Sequence, residues 1–370
     1  MHAWQKTTLA LALAGAMGLA QAQILVGQTA GFTGQVSAGV LETTDGAKLY
    51  LDAINARGGV HGQKIELISL DDKYDPKIAS ENARALIEDK KVDVMFLTRA
   101  TPHSLAVVPY LNQYGLALVA PSTGAMALHQ PVLKYVFNVR ATYQREAERA
   151  IAHLASLGMT RIAVLYVDDG FGTDGMTGAL KGLKDAQLEP VVLEKYDRAK
   201  PDFAPLVTRI VNTRAQAVLM VSSAIAVRDA TAQMRKAGSS AQVVTLSNNA
   251  SSGFIKALDK NAHGVIVAQV FPGERNLAYP MVREATALAK AQGDKELTPS
   301  MLEGFAAAKV LVEGLRRAGP KPTREKIAAA LDGMQKYDLG GLEVGYSPSD
   351  HTGLDFVDLS IIDAKGRFRR

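Results

Sequence analysis

The sequence contains no cysteine, which excludes disulfides, thiolate metal sites and cysteine nucleophiles. Such a chain must be stabilised by its apolar core, and 47% of its 370 residues are apolar. Charge is not concentrated either, because 42 basic residues are mixed with 37 acidic ones and no basic block is longer than a pair. We therefore expect no nucleic-acid surface. The length predicts two domains rather than one.

Long hydrophobic runs are also scarce, with one exception at the N-terminus. One lysine precedes the uncharged apolar stretch 9–20, and Ala-Gln-Ala follows at 20–22. This order is typical of a secretory signal peptide over 1–22, with cleavage between Ala22 and Gln23. The run is too short to span a membrane comfortably, and no cysteine follows the cleavage site. We therefore expect an exported, soluble, monomeric protein that is neither membrane-inserted nor lipid-anchored.

Apolar runs alternate with amphipathic segments along the rest of the chain. The runs 24–30, 64–70, 92–97 and 116–120 predict buried strands, and the segments between them predict helices. The alternation restarts at residue 143. Strands and helices at this spacing indicate β-α-β units and parallel sheets. The sequence therefore predicts an α/β fold of two doubly wound parallel-sheet lobes.

The last hundred residues predict too few elements for a third domain. Helices are expected over about 280–293, 299–318 and 323–331, followed by two short β segments. If these elements return to the earlier lobes, several chain crossings form a hinge that can close around a ligand. We then expect lobe 1 to comprise 23–139 plus about 270–342, and lobe 2 about 140–269 plus 343–370. Periodicity alone leaves two serial domains open as the alternative.

Four blocks in order carry a resemblance to a known family. They are INARGGVHGQKIELISLDDKYDP (54–76), TPHSLAVVPYLNQYGLALVAPSTGA (101–125), YVFNVRATY (135–143) and RIAVLYVDDGFGTDG (161–175). Together they resemble periplasmic leucine/isoleucine/valine-binding proteins. The resemblance implies a type I periplasmic binding fold and a periplasmic receptor for an amino acid or a similar small acid. It also implies the permease subunits of an ABC importer as partners.

The glycines at 170–175 spell G-x-G-x-x-G behind a predicted strand, the outline of a dinucleotide-binding fingerprint. Asp168 and Asp169 separate the strand from these glycines, and Asp174 lies inside the motif. Three carboxylates would repel the diphosphate that such a turn normally binds. We therefore expect no bound cofactor. The motif instead predicts a polar turn with Thr173 or Asp174 as the helix N-cap.

Other catalytic or metal-binding patterns are missing from the sequence. The seven histidines form no close pair, and there is no G-x-S-x-G elbow. We therefore expect no metal site and no enzyme. A secreted enzyme using the Asp168-Asp169 turn is the alternative from a different class, and a sensor feeding a membrane receptor is the other. His103 could lie either in a surface loop or in the wall of a ligand cleft.

The candidate ligand contacts follow predicted strands, because the binding crevice of β-α-β lobes lies beyond the carboxyl ends of their strands. Hydroxyls, free N–H groups and a helix N-terminus in the first lobe suit a carboxylate. The resemblance implies carboxylate contacts at Ala100-Thr101 and Ser122–Gly124. The full candidate set is Phe32, Ala100, Thr101, Ser122, Thr123 and Gly124 from the first lobe, and Tyr143, Asp169, Phe171, Ser223 and Asn248 from the second.

One segment departs from the family pattern. Amino-acid binders of this family commonly carry an acid in the second lobe that pairs with the ligand's ammonium, whereas TLSNNASSG has Asn248 and Asn249 there. An amide supplies no counter-charge for a desolvated ammonium. Either Asp168 or Asp169 takes that role, or the ligand carries no ammonium.

Overall fold

A computed structural model describes residues 23–293 and 295–370, and the predicted signal peptide lies outside these residues. The described chain forms two α/β lobes, each built around a sheet of mainly parallel strands. The predicted fold class is confirmed. None of the helices in the described ranges is both long and apolar enough to cross a membrane.

The first lobe contains a five-stranded parallel sheet in the order β2-β1-β3-β4-β5. Its strands are β1 (Ile24–Ala30), β2 (Ile65–Asp71), β3 (Val94–Phe96), β4 (Leu118–Val119) and β5 (Val136–Phe137). Its helices are α1 (Ser37–Ala56), α2 (Pro76–Glu88), α3 (Thr101–Tyr114), α9 (Pro280–Ala291), α10 (Pro299–Ala318) and α11 (Arg324–Asp332). Strands β3, β4 and β5 are entirely buried, because helices cover both faces of the sheet.

Helices α1 and α10 pack closely because each presents a glycine to the other. A Cβ atom on Gly46 would lie 1.9 Å from the Met301 carbonyl oxygen, and one on Gly304 would lie 1.7 Å from the Thr43 carbonyl oxygen. Neither position has room for a side chain. This contact fixes α1, whose N-terminal end reaches the cleft between the lobes, against the core of the first lobe.

The second lobe contains a seven-stranded sheet in the order β14-β13-β10-β9-β8-β6-β7. Strands β6 to β10 run parallel, whereas β13 and β14 add an antiparallel edge. The strands are β6 (Ile162–Val167), β7 (Val192–Tyr196), β8 (Ala217–Val221), β9 (Gln242–Thr245), β10 (Ile266–Gln269), β13 (Asp358–Ile362) and β14 (Phe368–Arg369). The helices are α4 (Tyr143–Ser156), α5 (Gly170–Asp185), α6 (Ala204–Asn212), α7 (Ala224–Lys236) and α8 (Ser252–Leu258).

The chain crosses between the lobes after β5, after β10 and before β13. A small hairpin of β11 (Tyr337–Asp338) and β12 (Glu343–Val344) precedes the last crossing. Val344, Tyr346 and Leu354 still pack in the core of the first lobe. The last crossing therefore lies after Leu354, later than the expected boundary near 342, because the β12 hairpin and the segment after it bury apolar side chains in the first lobe.

Candidate functional site

A cavity lies where carboxyl ends of strands from both lobes face each other, and it holds about 300 Å³ of unfilled space. The first lobe lines it with Val36, Tyr74, Arg99, Ala100 and Thr101. The second lobe lines it with Tyr143, Phe171, Arg198 and Asn248. Its position matches the crevice in which α/β sheets of this kind bind ligands.

Larger clefts occur elsewhere on the surface. One of about 1010 Å³ lies beside α8 and β14, and a second of about 850 Å³ lies at residues that precede strands β6, β8 and β9. The second of these is therefore at the amino ends of the parallel strands, opposite the end where such sheets bind ligands. Two adjoining cavities between the lobes share Tyr74 and Arg198, and we take the one that also holds Arg99 and the start of α3 as the candidate site.

Arg99 is the most buried cation in the cavity wall, with 5% of its surface exposed. It follows β3, and its Nη1 donates to the Ser122 hydroxyl at 2.7 Å. Its Nη2 crosses to the second lobe and donates to the Asn248 carbonyl oxygen at 2.8 Å. No carboxylate among residues 23–293 and 295–370 lies within 4.0 Å of this guanidinium. Its direct partners in the protein are therefore neutral.

A buried network continues behind Arg99. The Ser122 hydroxyl donates to Glu303 at 2.6 Å, and Glu303 lies 3.5 Å from the guanidinium of Arg140, which is 2% exposed. Arg140 also donates to Glu146 of α4 at 2.5 Å. Burial raises the pKa of Glu146, whereas for Arg140 burial is outweighed by the two glutamates, which raise its pKa. The first crossing between the lobes is therefore held by charges from both of them.

Helix α3 presents its N-terminus to the cavity through Ala100 and Thr101. Ala100 has φ 73° and ψ 150°, a conformation that is costly for a residue other than glycine. The Thr101 hydroxyl lies 2.8 Å from that of Thr123, which is fully buried behind it. Gly124 packs against the first crossing, because a Cβ there would lie 2.5 Å from the Ala141 carbonyl oxygen. The strained turn thus places in the cavity wall a helix N-terminus, the end of a helix that favours anions.

The aromatic wall of the second lobe consists of Tyr143 and Phe171. Their rings make an edge-to-face contact with centroids 4.8 Å apart, and both side chains are buried. Phe171 is positioned by the start of α5, where the Asp169 carboxylate accepts from the backbone N–H groups of Phe171 at 2.9 Å and Gly172 at 3.1 Å. Asp169 is therefore the N-cap of this helix.

The prediction of Thr173 or Asp174 as the N-cap was wrong. Helix α5 begins at Gly170, so the glycine motif lies inside the helix instead of forming a turn before it. Asp174 instead accepts from the Gln144 amide at 2.8 Å and, across the lobes, from the Met126 backbone N–H at 3.3 Å.

Arg198 is the second arginine of the cavity, and it follows β7. Its Nε donates to the Asp169 carboxylate at 2.8 Å, and its Nη1 donates to the hydroxyl of Tyr74 in the first lobe. Tyr74 in turn stacks on His103 with ring centroids 4.8 Å apart. His103 is 2% exposed and lies behind Tyr74, so it belongs neither to a surface loop nor to the cavity lining.

Two titratable groups lie under Tyr74. Burial lowers the pKa of His103 to about 4 and raises the pKa of Asp72 to about 6. The nearest nitrogen of His103 lies 4.0 Å from the Asp72 carboxylate, which accepts from the Tyr74 backbone N–H at 2.9 Å. Near neutral pH, His103 is therefore uncharged beside an ionised Asp72.

The structure brings most of the predicted residues to the cavity, in different roles. The lining includes Ala100, Thr101, Tyr143, Phe171 and Asn248. The next layer holds side chains that position this lining, namely Ser122, Thr123, Gly124 and Asp169. Their contact with a ligand stays a prediction.

Two predicted residues lie outside these layers. Ser223 is the N-cap of α7, and its hydroxyl donates across the lobes to the Gln35 side chain at 3.3 Å. Phe32 is half-buried and is not part of the cavity lining.

Four lining residues were missed by sequence reasoning: Val36, Tyr74, Arg99 and Arg198. A signal existed for two of them, since Arg99 immediately precedes Ala100 and Arg198 follows the end of a predicted strand. Val36 and Tyr74 lie in irregular segments after β1 and β2, and only the folded sheet shows that those segments turn toward the second lobe.

Comparisons with known proteins agree with this architecture. A family model described as "Periplasmic binding protein" matches residues 23–366. Leu/Ile/Val-binding protein homolog 3 of Brucella melitensis is 24% identical over 88% of this chain and 88% of its own length. BraC3, a Leu/Ile/Val-binding protein of Rhizobium johnstonii, is 26% identical over 86% of each chain.

Solved structures are similar over nearly the whole fold. A substrate-binding periplasmic protein from Ralstonia solanacearum superposes with a TM-score of 0.85 at 30% identity, covering 94% of this chain and 99% of that one. A possible leucine/isoleucine/valine-binding protein from Rhodopirellula baltica gives 0.87 at 23% identity, covering 96% and 98%. The predicted resemblance is confirmed, and the chain belongs to the periplasmic binding protein family.

Proposed function

We propose that this protein is a periplasmic solute-binding receptor that captures a small carboxylated solute between its lobes and delivers it to an ABC importer. Arg99 carries the proposal, because it is a buried guanidinium in a cavity wall with neutral direct partners. A carboxylate bound there would supply the missing charge and accept charge-assisted hydrogen bonds. The relatives named for leucine, isoleucine and valine binding support a small organic acid as the solute.

Contacts between the lobes support capture by closure. The Glu42 carboxylate of α1 accepts from the Ser252 backbone N–H at 3.1 Å and from the Gly253 N–H at 3.0 Å, both at the start of α8 in the second lobe. A carboxylate at a helix N-terminus is favoured by the helix dipole. These bonds form only when the lobes are together, so they stabilise a closed form around the cavity.

The Asp168-Asp169 turn is better suited to a structural role, holding the start of α5 and Arg198, than to catalysis. Asp168 pairs with Lys195 at 2.9 Å on the surface, and Asp169 is occupied by the start of α5 and by Arg198. Among the described residues, no acidic side chain lines the cavity that holds Arg99, and Asp168 and Asp197 line the adjoining cleft that shares Tyr74 and Arg198 with it. A general acid or base in direct contact with the solute is therefore missing from the lining, which favours binding over turnover.

Thermal-shift measurements with amino acids, small organic acids and their amides test the proposal, followed by calorimetry on each hit. We expect one acid to bind each chain with 1:1 stoichiometry and to be recovered unchanged. At about 100 times its dissociation constant, such a ligand adds about 2.7 kcal/mol to the free energy of unfolding. Chemical conversion of the bound acid, or binding of amides alone, would contradict the proposed role.

A further inference from the structure

The charges that face the cavity are all of one sign. Arg99 and Arg198 line it, one from each lobe, and no aspartate or glutamate does so in the described residues. The Asp169 carboxylate is paired with Arg198, and Glu303 reaches Arg99 only through the Ser122 hydroxyl. A ligand ammonium would therefore be desolvated near the unpaired guanidinium of Arg99, with no carboxylate in the lining to receive it.

Arg99 retains the donors that a carboxylate needs. A guanidinium has five N–H donors, and the protein accepts from one on each terminal nitrogen through Ser122 and Asn248. These two contacts fix the plane of the group without neutralising it. A planar guanidinium held in this way can bind both oxygens of one carboxylate.

Three of the seven neutral lining residues are aromatic. Tyr74 supplies a ring from the first lobe, and Tyr143 and Phe171 supply an edge-to-face pair from the second. Two of these rings are held by neighbouring groups: Tyr74 stacks on His103 and lies 5.1 Å from the Arg198 guanidinium, and the guanidinium of Arg140 lies 4.8 Å from the centre of the Tyr143 ring. Val36 and Ala100 are the aliphatic residues among the described lining residues.

Rigid aromatic walls favour a flat ring over a branched aliphatic chain, because ring pairs gain attraction beyond the area that they bury. The unfilled space between the closed lobes is small and partly open to solvent, so the cavity favours a compact ligand.

We infer that the solute is a single-ring aromatic carboxylate without an ammonium group, bound through its carboxylate to Arg99 and through its ring to Tyr74, Tyr143 and Phe171. This inference rests on the proposed function and narrows its ligand class. It also resolves the absence of an acid at Asn248, since a ligand without an ammonium needs none.

Matched pairs of probes test the inference by calorimetry on the unmodified mature protein. Phenylacetate and 2-phenylglycine differ by the α-ammonium, as do 4-methylpentanoate and leucine. Benzoate and cyclohexanecarboxylate differ in aromaticity, and benzoate and benzamide differ in charge. We expect benzoate or phenylacetate to bind tightest. We further expect the ammonium to lower the affinity at least 100-fold and the saturated ring to lower it at least tenfold. Benzamide should show no measurable binding.

The outcomes separate this inference from the broader proposal. If leucine binds more tightly than 4-methylpentanoate, or 2-phenylglycine more tightly than phenylacetate, the inference is wrong and the solute-binding receptor stands. Equal affinity for cyclohexanecarboxylate and benzoate would remove the aromatic part of the inference. Failure of every acid to bind would overturn both, since each requires a carboxylate at Arg99.

Discussion

Arg99 in the first lobe and Arg198 in the second both reach across the cleft, and their partners differ. Arg99 donates to a hydroxyl of its own lobe and to a backbone carbonyl oxygen of the other. Arg198 donates to the Asp169 carboxylate of its own lobe and to a tyrosine hydroxyl of the other. Arg198 is thus already neutralised, whereas the direct partners of Arg99 leave its charge to a ligand. We therefore assign Arg198 to the contact between the lobes and propose that Arg99 binds the solute.

Removing each arginine in turn gives the largest expected effects. Arg99→Met should weaken binding of the tightest acid by about 2–5 kcal/mol, or at least about 30-fold, because a buried charged pair is lost. Arg198→Met should cost only about tenfold, since it removes a contact between the lobes but no ligand charge. Calorimetry on both variants measures the difference.

Arg209→Met serves as the control for these two variants. Arg209 pairs with Glu194 on the exposed surface of the second lobe, so its removal should leave affinity unchanged. A greater loss with Arg198→Met than with Arg99→Met would reverse the roles that we assign to the two arginines.

The contacts that Arg99 and Arg198 make between the lobes should also differ in their response to pH. The partners of Arg99 do not titrate, whereas the Tyr74 partner of Arg198 rests on His103 and Asp72. The pKa of His103 is lowered to about 4, so its contribution to stability is present above pH 6.5 and is lost as the pH falls toward 4. The pKa of Asp72 is raised to about 6, so its contribution is present below pH 4 and is lost as the pH rises through 6.

These opposite slopes largely cancel in the unmodified protein, and single variants separate them. Relative to Asp72→Asn, the unmodified protein should lose roughly 3 kcal/mol of unfolding free energy between pH 4 and 7. Relative to His103→Gln, it should lose a similar amount as the pH falls from 7 to 4. Urea unfolding at several pH values measures both differences. If the unfolding free energy of a variant follows the same pH dependence as that of the unmodified protein, the replaced group is solvated in the folded protein.

A carboxylate placed beside Arg99, as Asp169 lies beside Arg198, should make the two arginines alike in charge. Asn248 lines the cavity beside Arg99, and its side-chain oxygen is buried without a hydrogen-bond partner in the described residues. In Asn248→Asp, the new carboxylate would compete with the ligand for Arg99. We expect acids to bind about tenfold more weakly or worse, and the preference for phenylacetate over 2-phenylglycine to shrink. Asn248→Ala, which removes the amide without adding charge, should leave that preference intact.

The sequence predicted the fold better than the chemistry of the cleft. Apolar periodicity and the ordered family blocks identified both lobes because strand burial follows directly from local composition. The rule that ligands bind beyond the carboxyl ends of the strands identified five residues that line the cavity: Ala100, Thr101, Tyr143, Phe171 and Asn248. It could not separate residues that line the cavity from residues such as Ser122 that hold the lining, because that depends on side-chain direction across two elements.

The arginines show a second limit of sequence reasoning. Arg99 and Arg198 look alike in sequence, each in a polar segment that follows a strand. Their difference arises from Asp169, which is 29 positions from Arg198 and has no counterpart beside Arg99. Long-range pairing of this kind is set by strand order, with β7 next to β6 in the sheet, and a single sequence does not reveal strand order.

The smallest expected effect comes from a single methyl group behind Arg99. Gly39 lies in the first turn of α1, and a Cβ there would be 3.2 Å from the Arg99 Nη2 atom. Gly39→Ala favours the helix by up to about 1 kcal/mol. The same methyl is too close to the guanidinium, which must shift by a few tenths of an ångström. That shift strains the hydrogen bonds from Arg99 to Ser122 and Asn248. Affinity for the acid should therefore fall several-fold while the free energy of unfolding stays level or rises. A stabilised variant with unchanged affinity would mean that the exact position of Arg99 does not matter for binding.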